Sequence, residues 1–153
     1  MEIRDYKVKD CDTVSKLFFE TVHSINAKDY TDEQLFAWAS SAEDFKSSRC
    51  RDLLKQRTVV AVIGEKIVGF ASIDKSGELD LLFVDKDHQR QGIATALCDE
   101  VEKGFSVLTT YASITAKQFF EKRDYIVIKE QEVERFGVKL KNFKMKKNVE
   151  FCI

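Results

Sequence analysis

No stretch of this sequence approaches the roughly twenty apolar residues a helix needs to span a bilayer. Met1 leads straight into charged residues with no apolar signal core. Together these absences exclude a membrane partner and give the expectation of a cytoplasmic protein, where cysteines stay as free thiols. Charge of one sign is lacking as well: 25 Lys and Arg stand against 26 Asp and Glu, for a formal net charge of -1. A surface so nearly neutral excludes nucleic acid as the main partner. The four cysteines, Cys11, Cys50, Cys98 and Cys152, form no Cys-x-x-Cys pair, and the two histidines do not cluster near them, so no metal site is expected. Neither a P-loop nor a Gly-x-Gly-x-x-Gly dinucleotide fingerprint occurs. Low-complexity linkers and internal repeats are missing too, so residues 1–153 read as one domain, long enough to bury a core. Proline is absent altogether, and nothing in the sequence accounts for that.

What is present is an ordered alternation of elements. Ile3–Tyr6 reads as a short strand, and Val8, Cys11, Val14, Leu17, Phe18, Val22 and Ile25 then recur at helical spacing. Thr31-Asp-Glu-Gln34 has the form of a capping box ahead of Leu35 and Trp38, and Glu43–Leu54 reads as a third helix. At Arg57 the texture changes. Thr58–Ile63, a Gly64-Glu-Lys66 turn and Ile67–Ile73 form a hairpin, followed by a strand over Glu78–Val84. A helix over Gly92–Lys103, a strand over Phe105–Tyr111, a short helix over Ile114–Lys122 and strands over Tyr125–Val133 and Val138–Lys147 complete the chain. In the last strand the apolar parity shifts from Val138 and Leu140 to Phe143 and Met145, which predicts a bulge near Lys141–Asn142. A three-strand meander followed by alternating strands and helices predicts a mixed sheet with helices on both faces.

One segment carries chemistry. The strand Leu79–Val84 runs into a polar loop and then a helix start at Gly92. Unpaired N–H groups and the positive end of the helix dipole suit a phosphate there. Gly92 admits close backbone approach, Ala94 keeps the next turn small, and Arg90 and Gln91 add donors. Such a turn would hold a pyrophosphate without metal. A glycine at a helix start, taken alone, serves packing or capping as readily as ligand binding.

The longer pattern Val84-x4-Gln89-x-x-Gly92-Ile-Ala94-x-x-Leu97 resembles the acetyl-CoA motif of the GNAT superfamily of acetyltransferases. Ser113-x-x-Ala116-x-x-Phe119-Phe120-x4-Tyr125 is similar to that family's later Asn-x-x-Ala-x-x-x-Tyr-x-x-x-Gly-Phe segment. Asp29-Tyr30-Thr31, Gln34, Ala37-Trp38-Ala39, Ala112-Ser113, and Gly137-Val138 with Asn142-Phe143 resemble the small YafP-type branch of N-acetyltransferases. The resemblance spans nearly the whole chain. It implies an α/β fold, a GNAT-like mixed and mostly antiparallel central sheet with a splayed parallel strand pair. It also implies acetyl-CoA as acyl-donor co-substrate, its pantetheine arm pairing with backbone at Leu82, Phe83 and Val84 like an added strand. The pyrophosphate would rest on N–H groups of Gln89, Arg90, Gln91, Gly92, Ile93, Ala94 and Thr95. Ser113, Phe119 and Phe120 would flank the arm and the adenine.

Acetyl transfer to an amine needs a free amine, and removing the proton from a lysine-like ammonium at pH 7 costs about 4–5 kcal/mol. A carboxylate base acting through water is therefore useful. Asp80 is the first candidate, because it interrupts an apolar strand, and strand alternation puts it opposite Leu79, Leu81 and Phe83. Burial there would raise its pKa. Pairing with a basic residue across the sheet is the plain structural alternative. Glu78, two residues earlier, is the second candidate. A backbone N–H at Phe83 or Val84 would polarise the thioester carbonyl. Where many relatives carry a tyrosine acid this chain has Phe120, Asp124 replaces the usual glycine, and Ser113 the usual asparagine. Tyr111 is a substitute proton donor. His23, Tyr30 and Trp38 are candidates to line the pocket of a small-molecule or peptide amine, and the terminal hairpin offers an edge for a homodimer. Cys98 reads as core and His88 as a loop residue. The alternative function is an acetyl-CoA-binding sensor or interaction module without turnover.

Overall fold

The computed structural model describes residues 1–149. The elements run β1 (Glu2–Asp5), α1 (Cys11–Ser24), α2 (Asp32–Trp38), α3 (Ala42–Lys55), β2 (Arg57–Ile63), β3 (Lys66–Ile73) and β4 (Glu78–Val84). Then follow α4 (Ile93–Val101), β5 (Val107–Ser113), α5 (Lys117–Lys122), β6 (Ile126–Arg135) and β7 (Val138–Asn148). One seven-stranded sheet has the order β1-β2-β3-β4-β5-β7-β6, and β4–β5 is its one parallel pair among the described residues. This is the mixed, mostly antiparallel sheet with a single parallel pair that the family resemblance implies. The α5 helix starts three residues later than expected, because the Ser113 hydroxyl accepts from the Ala116 N–H at 3.1 Å and holds the chain in a turn first.

Two cores lie on the two faces. Val14, Leu17, Phe18 and Val22 of α1 pack with Leu35, Phe45 and Leu53 against Val60, Phe70 and Leu81. On the other face Ile93, Leu97, Cys98 and Val101 of α4 pack with Phe120 and Tyr125 against Val59, Val68, Ala71 and Leu108. Gly69 sits under α4. A Cβ there would lie 3.1 Å from Leu97 Cδ1 and 3.1 Å from the Phe83 carbonyl, so the residue's smallness sets how closely α4 approaches β3.

The capping box forms as read: the Thr31 hydroxyl accepts from the Gln34 N–H at 3.2 Å, and the Thr31 N–H donates to Gln34 Oε1 at 2.9 Å. The same loop has a second task. β5 stops opposite Asn142, leaving the preceding edge of β7 open. There Gln34 Nε2 donates to the Lys139 carbonyl at 2.9 Å and the Tyr30 hydroxyl to the Lys141 carbonyl at 2.8 Å.

Three expectations are corrected. The bulge is not at Lys141–Asn142, since β7 pairs without interruption there, and the shift lies on β6 between Val127 and Lys129. The parity change has a simpler cause. Val138 and Leu140 serve the α1–α3 core, whereas Phe143 and Met145 serve the α4 core, so alternation stays intact while the buried face switches. On β4 the reverse holds: the register shifts so that Ser72 pairs Leu81 and Ile73 pairs Leu79, with Asp80 the extra residue. Leu79 therefore joins the α4 core and Leu81 the α1–α3 core, instead of sharing a face. Finally, Cys11 and Cys50 form a disulfide joining α1 to α3, so the expectation of free thiols fails for that pair. Cys98 is free and buried, and Cys152 lies outside the described residues. Among the described residues no helix is long and apolar enough to cross a membrane.

Candidate active site

The parallel strands part almost as soon as they meet. Glu78 pairs Thr109 and Leu79 pairs Thr110, where the Thr110 hydroxyl donates to the Leu79 carbonyl at 3.0 Å. Beyond that rung, Asp80 to Val84 face a gap. The Asp85 N–H donates to the Val68 carbonyl at 2.8 Å, so by antiparallel alternation Phe83 turns its N–H and carbonyl to β3 while Leu82 and Val84 turn theirs to the gap. That rules out the Phe83 N–H as an oxyanion donor and leaves those of Leu82 and Val84. The Val84 carbonyl is already occupied by Gln89 Nε2 at 2.7 Å and the Thr21 hydroxyl at 3.2 Å.

The loop after β4 is shaped by its own side chains. Gln89 also donates to the Asp85 carbonyl at 3.2 Å, so its amide builds the loop and is not held out to a ligand. Asp85 is buried and meets His88 Nδ1 at 2.6 Å. Burial works to raise the Asp85 pKa, but His88, the Asp87 N–H and Lys66 outweigh it and hold the carboxyl below the usual range. Arg90 (φ 61°) and Gly92 (φ 79°) both take the left-handed conformation. A Cβ on Gly92 would meet no atom within 4 Å, so conformation and not crowding in the free protein demands glycine there. The Ile93 side chain is buried in the α4 core, which leaves only its N–H for a ligand, while Thr95 is exposed.

The gap opens into a cavity of about 580 Å³. Its walls bring together Leu82, Phe83, Val84, Gln89 and Ala94 with Ser113, Phe119 and Phe120, and also Asp80, Tyr111, Tyr30 and Trp38. Glu78 and His23 are not on its walls, and neither are Arg90, Gln91, Gly92, Ile93 and Thr95 of the turn. His23 lies away from it, with Nε2 2.7 Å from the Ala39 carbonyl and its ring between Phe19 and Phe36.

The two β4 carboxylates differ from expectation. Asp80 is exposed, on the side of α3, where it pairs with Arg49 and accepts from Gln56 Nε2 at 3.1 Å. The expected burial and the expected face are both overturned by the bulge. Glu78 is the half-buried one, and burial first, then the charges of Asp74 and Asp80, push its carboxyl above the usual range, with Lys144 opposing. Phe120 is buried in the α4 core beside Tyr125, whereas Tyr111 is exposed on β5. Asp124 takes a φ of 71°, the conformation for which the family's glycine is suited. Tyr30 is buried, its phenol hydroxyl accepting from the Ile114 N–H at 2.9 Å while donating to Lys141, and Trp38 meets its ring edge-on at 5.5 Å.

Sequence reasoning missed Arg49, Asn26, Gln131, Arg135 and Asn142, which also line the cavity. Arg49 sits in an unremarkable polar helix and the others in alternating polar strands or a turn, so no spacing marks them. Among the described residues no group of three or more His, Cys, Asp and Glu is arranged to hold a metal ion.

A parallel pair splayed beside a loop-to-helix turn, with an aromatic and polar chamber at the far end, is the architecture of an acyl-CoA-dependent acyltransferase. Residues 26–147 match the family model described as acetyltransferase (GNAT) domain, and the chain belongs to that family of enzymes. It is 37% identical over 147 residues to the uncharacterized N-acetyltransferase YafP of Escherichia coli K12, covering 95% of each chain. A GCN5-related N-acetyltransferase structure from Rhodopseudomonas palustris superposes with a TM-score of 0.92 at 33% identity, covering 97% of this chain and 95% of the other. A PaiA N-acetyltransferase from Thermoplasma acidophilum, solved with coenzyme A, shares the fold at TM-score 0.76 and 18% identity, covering 97% of this chain and 98% of the other.

Proposed function

We propose that this acetyltransferase uses acetyl-CoA as acyl donor and passes the acetyl group directly to an amine acceptor held in the cavity. The observation that carries the reading is the open edge of β4, whose Leu82 and Val84 main-chain groups lead along the gap to the turn at Gly92. Pantetheine carries amides that would pair with such an edge, and the N–H groups of Gln89–Thr95 would take the pyrophosphate. Ser113, Phe119 and Phe120 form the far wall.

At the β4 bulge the acceptor ammonium meets Asp80, which lines the cavity, with Glu78 next on the same strand. Asp80 is the first candidate to receive the proton through water, and Glu78, with its raised pKa, is the stronger base though set further back. The free amine then attacks the thioester carbonyl, whose developing negative charge falls to the Leu82 or Val84 N–H. The C–S bond breaks, the nitrogen gives its remaining extra proton to water, and the thiolate leaves as such or takes a proton from Tyr111, which solvent then reprotonates. A thiol of pKa ~8.5 is a tolerable leaving group without a dedicated acid, which fits Phe120 at the usual tyrosine position. Tyr30 and Trp38 shape the acceptor chamber, and the exposed β6 edge is where a second copy would pair.

The test combines calorimetric titration of acetyl-CoA with a thiol-release assay over a panel of primary amines. Saturable binding with acceptor-dependent release is the expected result. Binding without release for any amine favours the sensor reading, and absence of binding discards the donor assignment.

A further inference from the structure

The strands beyond β5 sort their charges by face. Cross-strand partners point to the same side of a sheet, and residues two apart along a strand share that side. On the side of the α1–α3 core, β6 and β7 present Lys129, Arg135, Lys144 and Lys146, and none of the carboxylates of these strands. All three β6 glutamates lie on the opposite side. There Glu132 pairs Lys141 and Glu134 pairs Lys139 in register, and Glu130 lies 3.7 Å from Lys141. Lys147, also on that side, reaches Glu102 at 3.5 Å. The two faces are therefore unlike: one is charge-matched, and the other carries four cations that form no ion pair within 4.0 Å among the described residues.

The uncompensated face is the one beside the cavity. Tyr111, Lys144 and Lys129 form one row across β5, β7 and β6, and Ser113, Asn142 and Gln131 form the next. Tyr111, Ser113, Asn142, Gln131 and Arg135 are all cavity walls. Asn142 carries a shielded Oδ1 with no hydrogen-bond partner, so this wall holds an orphaned polar group between the lysine row and the cavity. On the other side of the gap β4 carries two carboxylates: Asp80 is matched by Arg49, and Glu78 forms no ion pair among the described residues. Lys144 is near enough to Glu78 to act on its carboxyl. Across β5 the surface thus runs from carboxylates to cations over two strand spacings, on the order of 10 Å.

We propose that the acceptor is an amine that carries an anionic group at its far end, the ammonium lying toward Asp80 and Glu78 and the anion toward Lys144, Lys129 and Arg135. This rests on the reading of the cavity as an amine-acetylation site. A polycationic acceptor is the disfavoured class, because its second charge would fall on the unpaired lysines.

Three primary amines of one chain length test the assignment: aminohexanoate, its amide aminohexanamide, and diaminohexane, whose far ends are anionic, neutral and cationic. In the thiol-release assay kcat/KM should be about twofold to fivefold higher for aminohexanoate than for the amide, and lowest for the diamine. The spread should shrink at high ionic strength. The double variant Lys129→Glu/Lys144→Glu should reverse the order, and Lys144→Gln, a milder change, should narrow it. Unchanged acetyl-CoA affinity by calorimetry reports that each variant is folded with its donor end intact. Equal rates for the three amines, a preference for the diamine, or an order untouched by Lys144→Gln overturns the proposal and leaves amine acetylation standing. Release with none of the three and none of a wider amine panel removes the acetylation reading and this inference with it.

Discussion

The two ends of the cleft are made of different material. At the proposed donor end the groups that would meet the ligand are main chain: the open edge at Leu82 and Val84, and the N–H groups around Gly92. Side chains there are engaged internally, Gln89 with the Val84 and Asp85 carbonyls and Ile93 with the core. The acceptor end is made of side chains drawn from five elements: Trp38 from α2, Arg49 from α3, Asp80 from β4, Tyr111 from β5 and Asn142 from β7. Main-chain geometry is controlled by backbone conformation, so it is specified over a few consecutive residues. A side-chain chamber is controlled by packing across the fold and varies without disturbing the backbone that binds the donor.

The largest expected effect breaks the donor end alone. Gly92→Val forces a β-branched residue into a left-handed φ, and acetyl-CoA affinity should fall more than about a hundredfold as the turn shifts. Calorimetry should show this beside a melting temperature lowered by the backbone strain alone, because a Cβ there touches nothing. Asp80→Asn addresses the other end: kcat should drop by about a hundredfold with acetyl-CoA affinity held. Running Glu78→Gln beside it across pH shows which carboxyl sets the rising limb, and a profile unchanged in both discards β4 as the source of the base. Gly69→Val should destabilise the fold by about 2–3 kcal/mol in denaturant titration, since Leu97, Ile93 and the Phe83 carbonyl are within 3.2 Å of its Cβ position. Tyr30→Phe removes two hydrogen bonds at one atom and should cost about 2 kcal/mol, with KM for the amine rising more than KM for acetyl-CoA. Thr31→Ala, losing one cap, should cost about 1 kcal/mol and leave both substrates unaffected.

What could be read in the sequence follows the same division. The capping box, the hairpin, the strand before Gly92 and the turn itself depend on neighbours within a few residues, and each forms where expected. The α4–α5 half also keeps its expected order of elements, with Leu97 and Val101 one helical turn apart on the buried face, although α5 starts three residues late. The failures are non-local. The β4 bulge is set by pairing with β3, so alternation alone put Asp80 on the wrong side. The face switch in β7 arises because the helical layers cover different parts of one strand. The Cys11–Cys50 bond joins residues 39 apart, brought together only by the packing of α1 on α3. Arg49 and Gln131 had no pattern of their own, Asn142 stood out only as part of the branch resemblance, and only the folded sheet gathers them at the cavity.

The Tyr30 hydroxyl has a consequence for how errors spread through the molecule. It holds the corner leading to α5, on the donor wall, and the strand that carries Asn142, on the acceptor wall. A displacement of either wall is therefore transmitted to the other through one oxygen atom. The width of the gap between them is thus referred to a single hydroxyl, so the two proposed pockets share one point of alignment.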